Sequence, residues 1–252
     1  MKKPLFEVCV DSFDSCLAAK EGGGDRLELC ANLVIGGTTP SEFLFTQVRD
    51  LGIPVNVLIR PRFGDFLYTQ AEFAQMEAEV SRFRELGANG VVIGALTSEG
   101  NLDETNLKKL IRAAGDMEIT LHRAFDMAKD LNRTLEQAVE LGFTTILTSG
   151  GKASAPKGAE ILAALNHQAA GRIRLMAGAG VNAGNIPELF ARTGITAFHG
   201  SCRSGSISSA MVWRNPEVNM GLPGFSEYEI MRTDAREVAR CVDIVHGLKE
   251  DL

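Results

Sequence analysis

Two thiols and two carboxylates stand at matching intervals in the first thirty residues. Glu7 and Cys9 fall in one short apolar run, Glu28 and Cys30 in the next. Thiolates select soft ions, and two on adjacent strands suit monovalent copper. Zinc needs four ligands, or three with an open position, and the cysteine between them, Cys16, falls in the helix that joins the two strands. The same thiols could also be small buried side chains without a task, or a redox pair, although no CxxC is present. Further along, Arg60, Arg62 and Arg123 offer cationic ends, and His122 is a candidate general base near neutral pH with Asp126 four residues on. Glu28, Arg60, His122 and Asp126 are therefore the candidate catalytic set. His199 carries the same chemistry as His122, but its face is less clear. Three turns, Ser149-Gly150-Gly151, Gly178-Ala179-Gly180 and Gly200-Ser201, could cradle an anion with backbone N–H groups, or serve only as tight turns. Cys16, Cys202 and Cys241 read as packing residues. No G-x-S-x-G, H-E-x-x-H or P-loop pattern occurs.

The elements that must position these groups alternate along the chain. Phe6–Val10 and Arg26–Cys30 are short strands joined by a helix that stops at Gly22-Gly23-Gly24. In each strand one face is oily (Phe6, Val8, Val10; Leu27, Leu29) and the other carries Glu7, Cys9 and Asp11, or Arg26, Glu28 and Cys30. Six further strands follow: Pro54–Arg60, Gly90–Leu96, Glu118–Arg123, Phe143–Thr148, Ile173–Ala177 and Ile195–His199. Helices separate them, with capping boxes expected at Thr39-Pro40-Ser41-Glu42 and at Thr69-x-x-Glu72, and a cap at Asn101 and Glu104. Eight strand–helix units in 252 residues predict an α/β fold, one (β/α)₈ barrel spanning residues 1–252 as a single domain. In such a barrel the C-terminal strand ends carry the chemistry. Alternation turns Glu7, Cys9, Glu28, Cys30, Arg60 and His122 into the lumen. So many buried charges need partners: either a closed network of Glu7 and Glu28 against Arg60, or a ligand site above one. The segment 202–231 breaks the rhythm, and loops of that length usually cover a site or make an oligomer contact. Its Trp213, the only tryptophan, is expected to anchor the loop by packing.

Composition narrows the function classes. The chain is 45% apolar and 23% charged, ordinary for a globular protein. A net charge of −6 argues against nucleic-acid binding, which needs a basic face. No apolar run approaches the roughly 20 residues of a membrane span. Met1-Lys2-Lys3-Pro4 leads into a strand containing Glu7 and Asp11, not a signal-peptide core. The expected location is the cytoplasm, where five scattered cysteines are free thiols or ligands.

Several strings together carry a resemblance: EVCVDS at 7–12, GGGDRLELC at 22–30, GGTTPS at 36–41, IRPRFGDFLY at 59–68, HRAFD at 122–126, LTSGG at 147–151 and FHGS at 198–201. Over nearly its whole length the chain resembles the bacterial, cytoplasmic members of the CutC copper homeostasis family. The resemblance implies a TIM barrel, a homodimer or higher homo-oligomer, and copper(I) held by Cys9 and Cys30. A lumen this charged is more than a thiolate carrier needs. It keeps open a second reading, an enzyme or sensor for a small anionic, phosphorylated metabolite. That reading uses Arg60, His122 and Glu28, with an anion site at Ser149, Gly150, Gly178, Gly180, Gly200 and Ser201.

Overall fold

Eight parallel strands close into a barrel in the order β1 to β8, each hydrogen-bonded to its neighbours in sequence, with β8 returning to β1. The computed structural model describes residues 3–222 and 224–248; Met1 and Lys2, which entered the reading of the N-terminus, lie outside the described residues. The strands are β1 (Leu5–Val10), β2 (Arg26–Leu29), β3 (Val55–Leu58), β4 (Gly90–Ile93), β5 (Glu118–Leu121), β6 (Thr145–Thr148), β7 (Arg174–Ala177) and β8 (Ala197–Gly200). Between them run α1 (Phe13–Glu21), α2 (Glu42–Arg49), α3 (Gln70–Glu85), α4 (Glu104–Ala114), α5 (Leu131–Leu141), α6 (Ala159–Ala169) and α7 (Ile186–Thr193), and α8 (Ala235–Gly247) closes the ring. This is the (β/α)₈ barrel that the strand count predicts. No helix among the described residues is long and apolar enough to cross a membrane.

The strand pattern creates two cores. Phe6, Val8, Leu27, Leu29, Val55, Val57, Val91, Ile93, Ile119, Leu121 and Phe198 pack outward against the helices in one large cluster. Each such side chain contributes about 1.5–3 kcal/mol on burial. The alternate residues face the lumen, where only two small apolar clusters form: Cys30, Leu58 and Val92 on one side, and Leu147, Met176 and Ala197 on the other. The rest of the lumen is polar, with Glu7, Arg26, Glu28, Asn56, Thr120, Thr145 and His199 all buried. Phe198 packs outward, so the next residue, His199, points in, which fixes the face that the sequence left open.

Local signals largely behave as expected. Thr69 and Glu72 form the reciprocal capping box of α3. At α2 the cap moves two residues, to Ser41, because the Thr39 hydroxyl is engaged elsewhere. It donates to Glu79 and accepts from the Arg60 N–H, tying the β3 end to α3. At α4 the cap is Asp103 rather than Asn101. The segment after β8 is not a plain loop. It forms an antiparallel hairpin of β9 (Arg203–Ser208) and β10 (Glu229–Thr233), and Trp213 at its far end is 78% exposed. Packing does not anchor that tryptophan.

Candidate functional site

The register of β1 on β2 decides which groups meet. Glu7 lies opposite Arg26, and Cys9 opposite Glu28. β8 then brings His199 beside Glu7. The result is a buried constellation in which a Cys9 sulfur, a Glu28 oxygen and a His199 nitrogen all lie within 4.8 Å of one another. His199 comes from the far end of the chain to join two groups of the first thirty residues. Cys30 falls two residues beyond Glu28 on the same face, diagonal to Cys9. Its Sγ lies 3.8 Å from the Glu28 carbonyl oxygen, against Leu58 and Val92, and it is not a member of the three-residue group.

Behind this constellation runs a chain of charge. Glu7 Oε1 lies 2.9 Å from His199 Nδ1, and its other oxygen accepts from Arg26 Nε at 2.6 Å. Arg26 in turn reaches Glu118 across the lumen floor at 2.6 Å. Burial opposes ionisation of Glu7, but Arg26 and His199 overcome it and hold the carboxyl down at about 2. An ionised carboxylate only accepts, so Nδ1 carries a hydrogen and Nε2 is the nitrogen turned to Cys9 and Glu28, 3.5 Å from Glu28 Oε2. Burial alone would lower the imidazole's proton affinity; the facing Cys9 sulfur, Glu28 and Glu7 outweigh it and raise the group well above its ordinary 6.5. Glu28 is raised, by burial first and the neighbouring Glu7 charge next, with His199 opposing. Cys30 is raised well above 9.0, by burial and then by Glu28. Of the two alternatives, the closed network of Glu7 and Glu28 against Arg60 does not form among the described residues. Arg26 holds Glu7, because it lies in the same layer, whereas Arg60 sits past the end of β3, higher in the mouth.

Above the constellation opens a cavity of about 410 Å³ lined by Cys9, Glu28, Arg60, His122, His199 and Arg203 among others. Arg60 and His122 are buried in its wall. Arg60 donates to the carbonyls of Gly37 at 2.8 Å and Gly64 at 2.9 Å, and its guanidinium sits 5.1 Å from the Phe66 ring centre. His122 accepts from the Ala124 N–H through Nδ1 at 3.1 Å, so Nε2 carries the hydrogen of the neutral ring. Burial, and next the Arg60 charge, push His122 down to about 3. It does not exchange a proton near neutral pH, which argues against the general-base role. Gly94 makes its place possible, since a Cβ there would stand 2.6 Å from the ring.

The remaining expected site residues divide. Gly180, Gly200 and Ser201 line the cavity. Ser149, Gly150 and Gly178 do not offer free donors. The Ser149 and Gly151 amides donate to the Asp126 carboxylate, and Gly150 donates to the Thr148 hydroxyl. The Gly178 amide donates to the Thr148 carbonyl. Asp126 is the acceptor of this turn. It also accepts from Thr148 Oγ1 at 2.6 Å and Arg123 Nε at 2.7 Å, so both its oxygens are engaged within the protein. It is the anion in that nest. Arg203, at the base of the hairpin, pairs with Asp11 at 2.7 Å and brings β9 to the cavity rim. Sequence reasoning missed it because its strand was taken as loop.

Known proteins carry the same plan. The profile of the CutC family matches residues 4–204. A CutC family protein of Chromobacterium violaceum is 46% identical over 235 residues, covering 93% of this chain and 95% of its own. One of Bacteroides thetaiotaomicron is 46% identical over 248 residues, 97% of this chain and 99% of its own. The crystal structure of a CutC protein from Streptococcus agalactiae, provisionally described as a copper homeostasis protein, superposes with a TM-score of 0.75 at 33% identity. It covers 79% of this chain and 98% of that one. With matches across nearly its full length in sequence and a shared barrel, the chain belongs to the CutC family.

Proposed function

We propose that the protein serves copper homeostasis by taking copper(I) as cargo at the floor of the barrel mouth, with the Cys9 sulfur and His199 Nε2 as its first two ligands and the Cys30 thiol flanking them. What supports this reading is the convergence of Cys9, Glu28 and His199 within 4.8 Å. Thiolate and imidazole are soft and borderline donors that suit copper(I); the hard Glu28 oxygen suits it least. The Glu7 carboxylate on Nδ1 is the partner that ligating histidines almost always have, because it fixes ring orientation and tautomer. Binding would replace the Nε2 proton, so affinity rises with pH.

Titration against a competing copper(I) chelator under reducing conditions tests the reading. Cys9→Ser and His199→Asn should each weaken binding by more than the roughly 10–100-fold typical of losing a supporting partner. Glu7→Gln should fall within that range. Cys30→Ser should cost less than Cys9→Ser, and Cys241→Ser, on α8 and outside the Cys9–Glu28–His199 group, should change nothing. Equal affinity in wild type and in the Cys9→Ser/Cys30→Ser double variant would remove copper from this site.

A further inference from the structure

Arg60 is a buried guanidinium without a carboxylate. Its terminal nitrogens donate to the backbone carbonyls of Gly37 and Gly64, with Ile35 at 3.4 Å, and its plane faces Phe66. These are neutral acceptors, and no ion pair neutralises its charge among the described residues. Buried charges in proteins are paired, or they are costly. The other two arginines of the cavity wall have their counter-ions, Arg123 in Asp126 and Arg203 in Asp11. Arg60 alone does not.

Two buried donors share this lack. Arg60 Nε and His122 Nε2 are both buried and without an acceptor. Both side chains belong to the wall of the 410 Å³ cavity, both are about nineteen-twentieths buried (6% and 5% exposed), and both lie against the Phe66 ring, His122 at 4.8 Å between ring centres. They are held in place from behind: Arg60 by two loop carbonyls, His122 by the Ala124 amide. Neither can turn to satisfy itself. A fixed cation beside a fixed neutral N–H donor is complementary to an oxyanion, which would accept from both and neutralise the one unpaired charge. The Arg60 charge felt by His122 agrees with that proximity.

We infer that the β3–β5 wall of the cavity is the binding site for the carboxylate or phosphate head of a small organic anion, held by Arg60 and His122. The cavity is in the size range of pockets for small-molecule ligands and far larger than a lone oxyanion, so the body of the ligand extends over the Cys9–Glu28–His199 floor toward Gly200 and Ser201 on the opposite rim. The inference stands apart from copper, since its residues come from β3 and β5 and those of the metal reading from β1, β2 and β8.

Inorganic phosphate and acetate, titrated separately into metal-free protein in a chelator-containing chloride buffer at constant ionic strength, test it by calorimetry and thermal unfolding. Saturable binding by at least one is expected, with a Tm rise of about 3 °C at tenfold excess over Kd. The stronger of the two identifies the head group. His122→Phe, which keeps the ring and removes the donor, should weaken binding roughly 10–100-fold, and Arg60→Met should abolish it. If neither probe binds the wild type, or if both bind His122→Phe with undiminished affinity, the inference is overturned. The His122→Phe arm decides even if Arg60→Met fails to fold.

Discussion

His122 and His199 are two imidazoles in one lumen, driven in opposite directions by what faces them. His199 looks at Glu7, Glu28 and a thiol and gains affinity for its proton; His122 looks at Arg60 and the Phe66 ring and falls to about 3. The signs give separate pH windows. A ring depressed in the fold refuses a proton that the unfolded chain accepts, so His122 lowers stability as pH falls below about 6.5 and continues to do so toward 3. A ring raised in the fold contributes fully below 6.5 and loses its contribution only as pH climbs above it, so His199 adds no slope on the acid side. Glu7, held at about 2, begins to matter only near its ordinary 4.5. Between pH 6.5 and 5 the His122 slope, about 1.4 kcal/mol per unit, should stand clear of both. Urea unfolding should show wild type losing about 2 kcal/mol more over that interval than His122→Phe. Parallel curves would mean that the ring is protonated in the native protein.

At the scale of elements, the turn after β6 is built around one carboxylate. Asp126 reaches from the β5 side to accept from Thr148, Ser149 and Gly151, and so fixes β6 to the segment that leads into α5. Asp126→Asn cannot accept from all of them, and hydrogen bonds to a charged group are worth about 1.5–3 kcal/mol. A loss of about 3 kcal/mol in urea unfolding, with copper(I) affinity unchanged, is expected. A loss of affinity with no loss of stability would return Asp126 to the functional site. This turn shows where a sequence can and cannot be read. Alternation along a strand is a local rule, so the inward facing of Glu7, Glu28 and Cys9 was legible from Phe6–Val10 and Arg26–Cys30 alone. Which residue pairs with which is set by register and by height along the barrel axis. Hence the sequence offers Arg60 as a partner for Glu7 where the register supplies Arg26, and it leaves open whether the two cysteines lie level, where Cys9 in fact faces Glu28. Glycine turns likewise announced exposed amides, but the anion that takes them, Asp126, sits more than twenty residues away in the chain. β9 and β10 gave no periodic signal, because a hairpin exposed on both faces has no buried side to write into its sequence.

The whole molecule combines an apolar ring between strands and helices with a lumen filled by ions where aliphatic layers usually stand. From half-exposed Glu118 through Arg26 and Glu7 to His199, the groups are linked end to end. Such a ladder is a poor stabiliser. Removing one member strands the others at about 3–5 kcal/mol, whereas replacing a buried ion set by apolar groups of like volume is often neutral or favourable by about 1–4 kcal/mol. Glu7→Met should therefore destabilise, and Glu7→Met/Arg26→Met should recover most or all of that loss, a coupling that a double-mutant cycle reads directly. The recovered protein would hold His199 without its orienting carboxylate. For anyone seeking a hardier barrel, the easiest gain in heat tolerance therefore lies in the residues whose removal disables the site. An ancestor selected only for durability would have had little reason to keep them. Thermostabilised variants of this chain should therefore be screened for ligand binding before they are screened for melting temperature.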